Sequence, residues 1–265
     1  MKAPILAAAG LLLALARPAL AADIALPFAP PLDRALRYGI EQDRPVEGKE
    51  SRFSAVRDLR FERDGDGYVL HATLRSIDSD APDSGADSYR AALGPLLGVE
   101  HRFRLDAAGR IVALDNMDAV WAAVQAGLEK MRDGLAPGSN RRRAADTVQA
   151  FFAGLSPDSR LALLAGELQP LFLFASGEVA DGAGRGVKTV AGSPLGRPVP
   201  VEGILRVERQ SPERIDLAED LAGQGVRLTV HYGVSRVTGL VETQRRELEM
   251  GPRLLRETRV LTAVP

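Results

Sequence analysis

The sequence predicts an α+β protein: a curved, half-barrel-like antiparallel β-sheet, or two such sheets, with a central block of about three helices packed on one face. Three observations predict it. Residues 34–114 alternate apolar and polar side chains, residues 115–176 carry apolar side chains at every third and fourth position, and residues 177–265 return to alternation. Successive side chains of a strand point to opposite faces, whereas a three-four spacing lines one side of a helix. Residues 34–265 therefore read as a single domain, β-rich at both ends and helical in the middle.

Residues 22–33 read as an extended lead-in, because Pro27, Pro30 and Pro31 fix φ and remove amide donors. Leu36, Tyr38 and Ile40 then share a face, with Arg37 and Glu41 opposite. Phe53 and Ala55 share the next, as do Leu59 and Phe61, and the intervening Val56 predicts a bulge. Asp64-Gly65-Asp66-Gly67 supplies a tight turn into Tyr68, Leu70, Ala72 and Leu74, which makes a hairpin with one buried face. A short helix ending near Leu93 is expected, capped by Asp87 or Ser88. His101, Phe103 and Leu105 resume the alternation, and Asp106 to Gly109 turns the chain into Ile111–Leu114.

The period then changes. Met117, Val120, Trp121, Val124, Leu128 and Met131 form an amphipathic stripe that Asn116 can cap. A Gly/Pro loop from Gly134 to Ser139 precedes a second helix with Ala145, Val148, Phe151 and Phe152. Ser156-Pro157-Asp158 gives an N-cap, a first-turn proline and a first-turn acid for a third, which Pro170 ends. Residues 178–198 read as a glycine-rich loop with one short strand from Val187 to Ala191. Val199, Val201, Leu205 and Val207 share a face, then Leu228, Val230, Tyr232 and Val234. Two last strands, about 239–249 and 253–263, meet at Gly251-Pro252, and their many Glu and Arg residues, Glu257 and Arg259 included, read as charge pairs on a solvated face. Pro45-Val46-Glu47-Gly48 recurs as Pro200-Val201-Glu202-Gly203, each read as preceding a strand.

Residues 1–21 read as a cleavable signal peptide. Lys2 is followed by an uncharged apolar run and then by Ala19-Leu20-Ala21, which places cleavage after Ala21. The run is shorter than the roughly 18 apolar residues of a membrane span. The expected location is the periplasm. The chain has no cysteine, which closes off disulfides, thiol chemistry and a lipid anchor on cysteine. Its net charge is −1, without the excess of cations that nucleic acid attracts. Only 4 of the 34 basic residues are lysines, a bias of composition that argues against reading single arginines as signals.

Each candidate for chemistry has a simpler reading beside it. His71 and His231 sit opposite their apolar faces while His101 shares one with Phe103, so the three do not converge on a metal. Asp78, Asp80, Asp83 and Asp87 lack the glycine and glutamate positions of a calcium loop and read as a solvated acidic segment. Gly182 to Thr189 has Val187 where a phosphate loop needs glycine, and a strand follows it instead of a helix. Arg141-Arg142-Arg143 reads as a solvated helix start able to meet anionic headgroups or a partner's acids.

The run from Phe103 to Val112, followed by a helix with Trp121, resembles a pattern in bacterial exported proteins grouped only as domains of unknown function. In architecture, long amphipathic strands with helices in the concavity are similar to the half-barrel lipoprotein-carrier proteins. The expectation is a non-catalytic periplasmic binding or carrier protein for an apolar, acyl-chain-like ligand. Its candidate lining residues are Leu70, Leu74, Phe103, Leu105, Trp121, Val230 and Tyr232. No catalytic residue, metal ligand or cofactor is assigned, and neither nucleic acid nor a transmembrane anchor is expected. The alternatives are a cell-envelope accessory protein acting through protein contacts, and a hydrolase whose carboxylates meet only in space.

Overall fold

The computed structural model describes residues 23–191 and 198–264. The leader read at 1–21 lies outside them. Ile24–Ala25 (β1) pairs with Glu178–Val179 (β7) in a two-stranded ribbon. All other strands belong to one sheet. Leu36–Val46 (β2), Lys49–Asp64 (β3), Gly67–Ser79 (β4), Glu100–Leu105 (β5) and Ile111–Leu114 (β6) form one antiparallel meander. Arg185–Ala191 (β8), Val199–Gln210 (β9), Arg214–Gly223 (β10), Val226–Ser235 (β11), Val241–Met250 (β12) and Arg253–Ala263 (β13) form a second. The last strand closes on the first long one: Ala263 pairs with Leu36 and Arg256 with Asp43. The result is an 11-stranded antiparallel sheet in the order β6-β5-β4-β3-β2-β13-β12-β11-β10-β9-β8, open because its end strands β6 and β8 do not pair.

Alternation fixes which face is buried. In β3 every second residue from Ser51 to Phe61 is buried, and in β4 so are Tyr68, Leu70, Ala72 and Leu74. A one-residue slip would turn these side chains to water, so the pattern pins the register. The predicted bulge exists at Val56, but the extra residue is in the partner: Val56 faces Ser76 and Arg57 faces Leu74, leaving Arg75 of β4 unmatched. The alternation within β3 is therefore unbroken, and Arg57 points inward with its apolar neighbours.

The helices are Asp83–Leu93 (α1), Met117–Asp133 (α2), Asn140–Ala153 (α3) and Pro157–Ala165 (α4), with 3-10 turns at Gly94–Leu96 and Gln169–Phe172. The central block holds the three helices expected there, α2, α3 and α4, and α1 is the separate helix expected to end near Leu93, longer than its expected cap allowed. It begins at Pro82-Asp83, so Asp87 and Ser88 lie inside it and cap nothing. Ser156 and Ser139 accept from the amides of Ser159 and Arg142 and do cap their helices. Asn116 stands at the start of α2 but serves β5 instead, accepting from the Arg102 amide at 3.0 Å and donating to the Glu100 carbonyl at 2.7 Å. Mid-helix Gly127 is a spacing requirement: a Cβ there would lie 2.0 Å from Pro95.

Two apolar cores result. One joins Leu36, Tyr38, Phe61, Leu70, Phe103 and their neighbours to Val120 of α2, Ala165 of α4, and Leu168 and Leu171 beyond it. The other joins Val201, Leu205, Leu217, Leu228, Val234 and Leu248 to Val179 of the ribbon, to Leu26 just after β1 and to Phe174. Strand β10 has no counterpart in the sequence reading, because Glu219 interrupts the inward row of Ile215, Leu217 and Leu221. The two Pro-Val-Glu-Gly segments take different roles. The first makes the β2–β3 turn, with Glu47 and Gly48 at positive φ, and the second lies inside β9, so they do not mark a repeat.

Candidate functional site

The inner face of the sheet is apolar at both ends and polar across its middle. From β3 to β10, six consecutive strands of the sheet each turn a polar side chain inward: Arg57, Tyr38, Arg259, Gln244, Tyr232 and Glu219. The register accounts for three of the five steps, and hydrogen bonds join Tyr38 to Arg259 and Tyr232 to Glu219 two residues out of register. Tyr38 is opposite Arg57, Gln244 opposite Arg259, and Tyr232 opposite Gln244. The track is therefore a cross-strand ladder of polar side chains, written into the same alternation that buries the apolar rows.

Its centre is an ion pair under cover. Arg259 Nε donates to Glu257 Oε1 at 2.7 Å, and their side chains are only 13% and 6% exposed. This overturns the reading of Glu257 and Arg259 as surface charges: odd positions of β13 face in and even ones face out, and both residues are odd. Arg259 Nη1 donates to the Glu167 carbonyl at 2.7 Å and to the Tyr38 hydroxyl at 3.3 Å, and that hydroxyl donates to the same carbonyl. The Glu167 carboxylate pairs with Arg57, and Gln42 donates to Glu257. Glu167 follows α4, so one residue ties the helical layer to three strands. Burial disfavours the charge on both members of the central pair. Neighbouring groups outweigh it: Tyr38 first and then Glu257 raise the pKa of Arg259, and Arg259, with the Gln42 hydrogen bond, lowers that of Glu257.

At the far end Tyr232 donates to Glu219 Oε2 at 2.9 Å. Burial raises both pKa values here, and the Glu219 charge raises that of Tyr232 further. Two buried polar atoms of the track, Arg57 Nη1 and Gln244 Oε1, have no hydrogen-bond partner. An unmatched buried donor or acceptor costs about 1–3 kcal/mol, so each is a place where a bound polar group is favoured.

The residues singled out as ligand-lining are all buried. Leu70, Phe103 and Leu105 lie in the helix-covered core, and Val230 and Tyr232 in the other. Leu74 is buried opposite Arg57, and Trp121 stacks on Phe152 of α3 at 5.8 Å. They are thus divided between the two halves of the sheet, and the track runs between them. Only Tyr232 belongs to it; the sequence pattern reads Arg259 as solvated and Tyr38 as one of an apolar row, and assigns Arg57, Gln244 and Glu219 no role. The histidines stay apart. His71 binds Glu62 and Glu100, each at 3.1 Å, His231 binds Glu208 at 3.2 Å, and His101 is a core residue held by the Val99 carbonyl. Burial lowers the His101 pKa. Among the described residues no helix is long and apolar enough to cross a membrane.

No family model matches the chain, and no curated protein matches it. Among solved structures it is similar to lipovitellin, in a study of that protein's lipid–protein interactions. The match covers 89% of this chain and 25% of that one, at a TM-score of 0.43 and 9% identity.

Proposed function

We propose that this chain is a non-catalytic binding protein for an amphiphile, working outside the cytoplasm. The ligand's acyl-like chain lies along the apolar rows of the inner face, and its polar end meets the track. The observation that carries this reading is the polar ladder itself. Six adjacent strands of a largely apolar face contribute to it, and Arg57 Nη1 and Gln244 Oε1 lack protein partners. A surface that only filled a core would gain nothing from these groups, since replacing a buried ion pair with apolar residues is commonly neutral or stabilising. Entry requires the helical layer to lift, and Glu167 is its tie to the sheet. The leader-like residues 1–21 support export, and the absence of cysteine suits a periplasm as well as any oxidising compartment.

The test is native mass spectrometry of protein exported to a bacterial periplasm and purified without detergent. Adducts of lipid mass that organic extraction removes, and that Arg57→Met diminishes, support the proposal. A clean protein mass, with no uptake of an added fatty acid or lysophospholipid, overturns it. That outcome favours a second reading, an envelope accessory protein acting through protein contacts. Its supporting observation is that five of the seven residues expected to line a cavity are packed into the two cores, and the other two, Leu74 and Trp121, are buried.

A further inference from the structure

The outer face of the second meander carries a depression that the inner-face reading does not use. Two adjoining cavities, of about 570 and 390 Å3, share Arg209, Arg214 and Asp216. The floor is made by small residues in register. Gly233 lies between Asp216 and Thr243, and Ala218 is paired with His231, which is paired with Arg245. Gly233 has no positive φ to explain it. A Cβ there would fall 1.9 Å from Arg214 Nη2, so the glycine leaves room for that guanidinium against the sheet. Seated there, Arg214 donates to Asp216 Oδ1 at 2.7 Å and to Thr243 Oγ1 at 2.9 Å.

Two register shifts frame the depression. One leaves Glu208 of β9 unmatched beside Asp216, and the other leaves Glu242 of β12 unmatched beside Gly233. Bulges of this kind re-aim side chains. The larger cavity is lined by Arg209, Arg214, Arg245 and His231 against the acids Glu208 and Asp216. Asp216 is taken by Arg214, and Glu208 by His231 and Arg206, so neither acid is left over for Arg209 or Arg245.

We propose that this depression binds a compact oxyanion of the phosphate class, with Arg209 and Arg245 as its principal donors and Arg214 as a preset third. Guanidinium groups pair with phosphate oxygens through two parallel hydrogen bonds, and a concave site between several of them selects such a group over a single-point anion. The anion can be free phosphate or the headgroup of a phospholipid. Arg209, Arg214 and Arg245 lie on the face opposite the polar track by register, and although Leu217 and Tyr232 also border the larger cavity, the proposal stands whether or not an amphiphile binds inside.

The experiment is isothermal titration of the purified full chain with inorganic phosphate and, separately, with a short-chain phospholipid below its micelle concentration. Saturable binding of phosphate, weakened at least about tenfold by Arg209→Gln or Arg245→Gln, supports the proposal with free phosphate as the source. Saturable binding of the phospholipid alone, with the same sensitivity, supports it with the headgroup as the source. Arg209→Lys keeps the charge and should lose less than Arg209→Gln. Gly233→Ala displaces Arg214 and should also weaken binding, with far-UV circular dichroism confirming that each variant is folded. No saturable binding of either probe at millimolar concentration, or binding indifferent to the Arg209 and Arg245 substitutions, overturns it.

Discussion

The two halves of this sheet bury the same kind of strand in different ways. The meander β2–β6 is covered by helices: α1, α2 and α4 pack on β4, β5 and β6, and residues of α2 and α4 enter its core. The core of the meander β8–β12 contains no residue of α1–α4. It is closed by bending. The backbones of β9 and β11, two strands apart, come within 8 Å, where a flat sheet would hold them about 9.6 Å apart. The β1–β7 ribbon and Phe174 stop one end. An amphipathic strand dictates that one face be hidden, but not what hides it. Here the choice follows the chain, since the helical insert leaves β6 and lies nearest the strands that precede it.

The sharpest way to break that comparison is to damage each core and watch the helices. Phe61 is fully buried beneath the helical layer, and Phe61→Ala should cost about 3–5 kcal/mol in a denaturant titration. Leu221 lies in the bent half, and Leu221→Ala should cost about 2–5 kcal/mol. Hydrogen exchange separates them. The first substitution should expose amides of α2 and α4 ahead of global unfolding, and the second should leave those amides protected. Equal loss of helix protection in both variants would mean the halves form one cooperative unit.

The seam between the halves gives the next effect. Arg259→Met leaves Glu257 buried without its cation and should cost about 3 kcal/mol. Glu257→Leu combined with Arg259→Met removes both charges and should recover most of that loss. If the double variant is no more stable than the single one, the pair is held by its other partners, Tyr38, Gln42 and the Glu167 carbonyl, and not by mutual attraction.

The same seam marks the limit of what the sequence makes legible. Period-two alternation locates the strands of the first meander, the last hairpin and the inward faces of Tyr68 to Leu74 because apolar residues dominate their inward rows, without exception only from Tyr68 to Leu74. It passes over β10, where Glu219 occupies an inward position between Leu217 and Leu221. It also leaves Glu257 and Arg259 on the wrong face, because a charged residue next to Arg256 and Thr258 offers no local sign of which side is covered. Parity carries that information, but only once Leu255 and Leu261 are known to point inward, and this depends on β13 pairing with β2, more than 200 residues away in sequence. The polar track is a product of long-range register and has no linear motif.

Protons should act on the two halves in opposite directions. His101, in the helix-covered half, has its pKa lowered by burial. The unfolded chain takes up that proton first, so stability is lost as pH falls through about 6.5, and His101→Phe should remove this loss. Glu219, in the bent half, has its pKa raised by burial above the ordinary 4.5. The folded chain holds that proton longer, so its contribution is full below pH 4.5 and declines as pH rises through the folded value. Glu219→Gln should therefore stabilise at neutral pH and make no difference in acid. Thermal melts across pH 4 to 8 would read both effects, and a Glu219→Gln variant less stable at pH 7 would show that the Tyr232 hydrogen bond outweighs the burial of charge.

The smallest effect comes from the residue next to the buried pair. Arg256 shares β13 with Glu257 and Arg259 but has the opposite parity, so its guanidinium lies on the outer face. There Arg256 Nε meets Glu247 Oε1 at 3.2 Å, with both side chains about half exposed. Water screens such a pair, and a double-mutant cycle of Arg256→Ala and Glu247→Ala should return less than about 1 kcal/mol. The coupling should shrink further as salt is raised from 0.05 to about 1 M. Set against Arg259→Met, the measurement isolates the face of the sheet as the variable, since strand, residue type and partner type are held constant. A coupling as large as the Arg259 loss would mean that the outer face too is covered in solution, by a partner or a second copy of this chain.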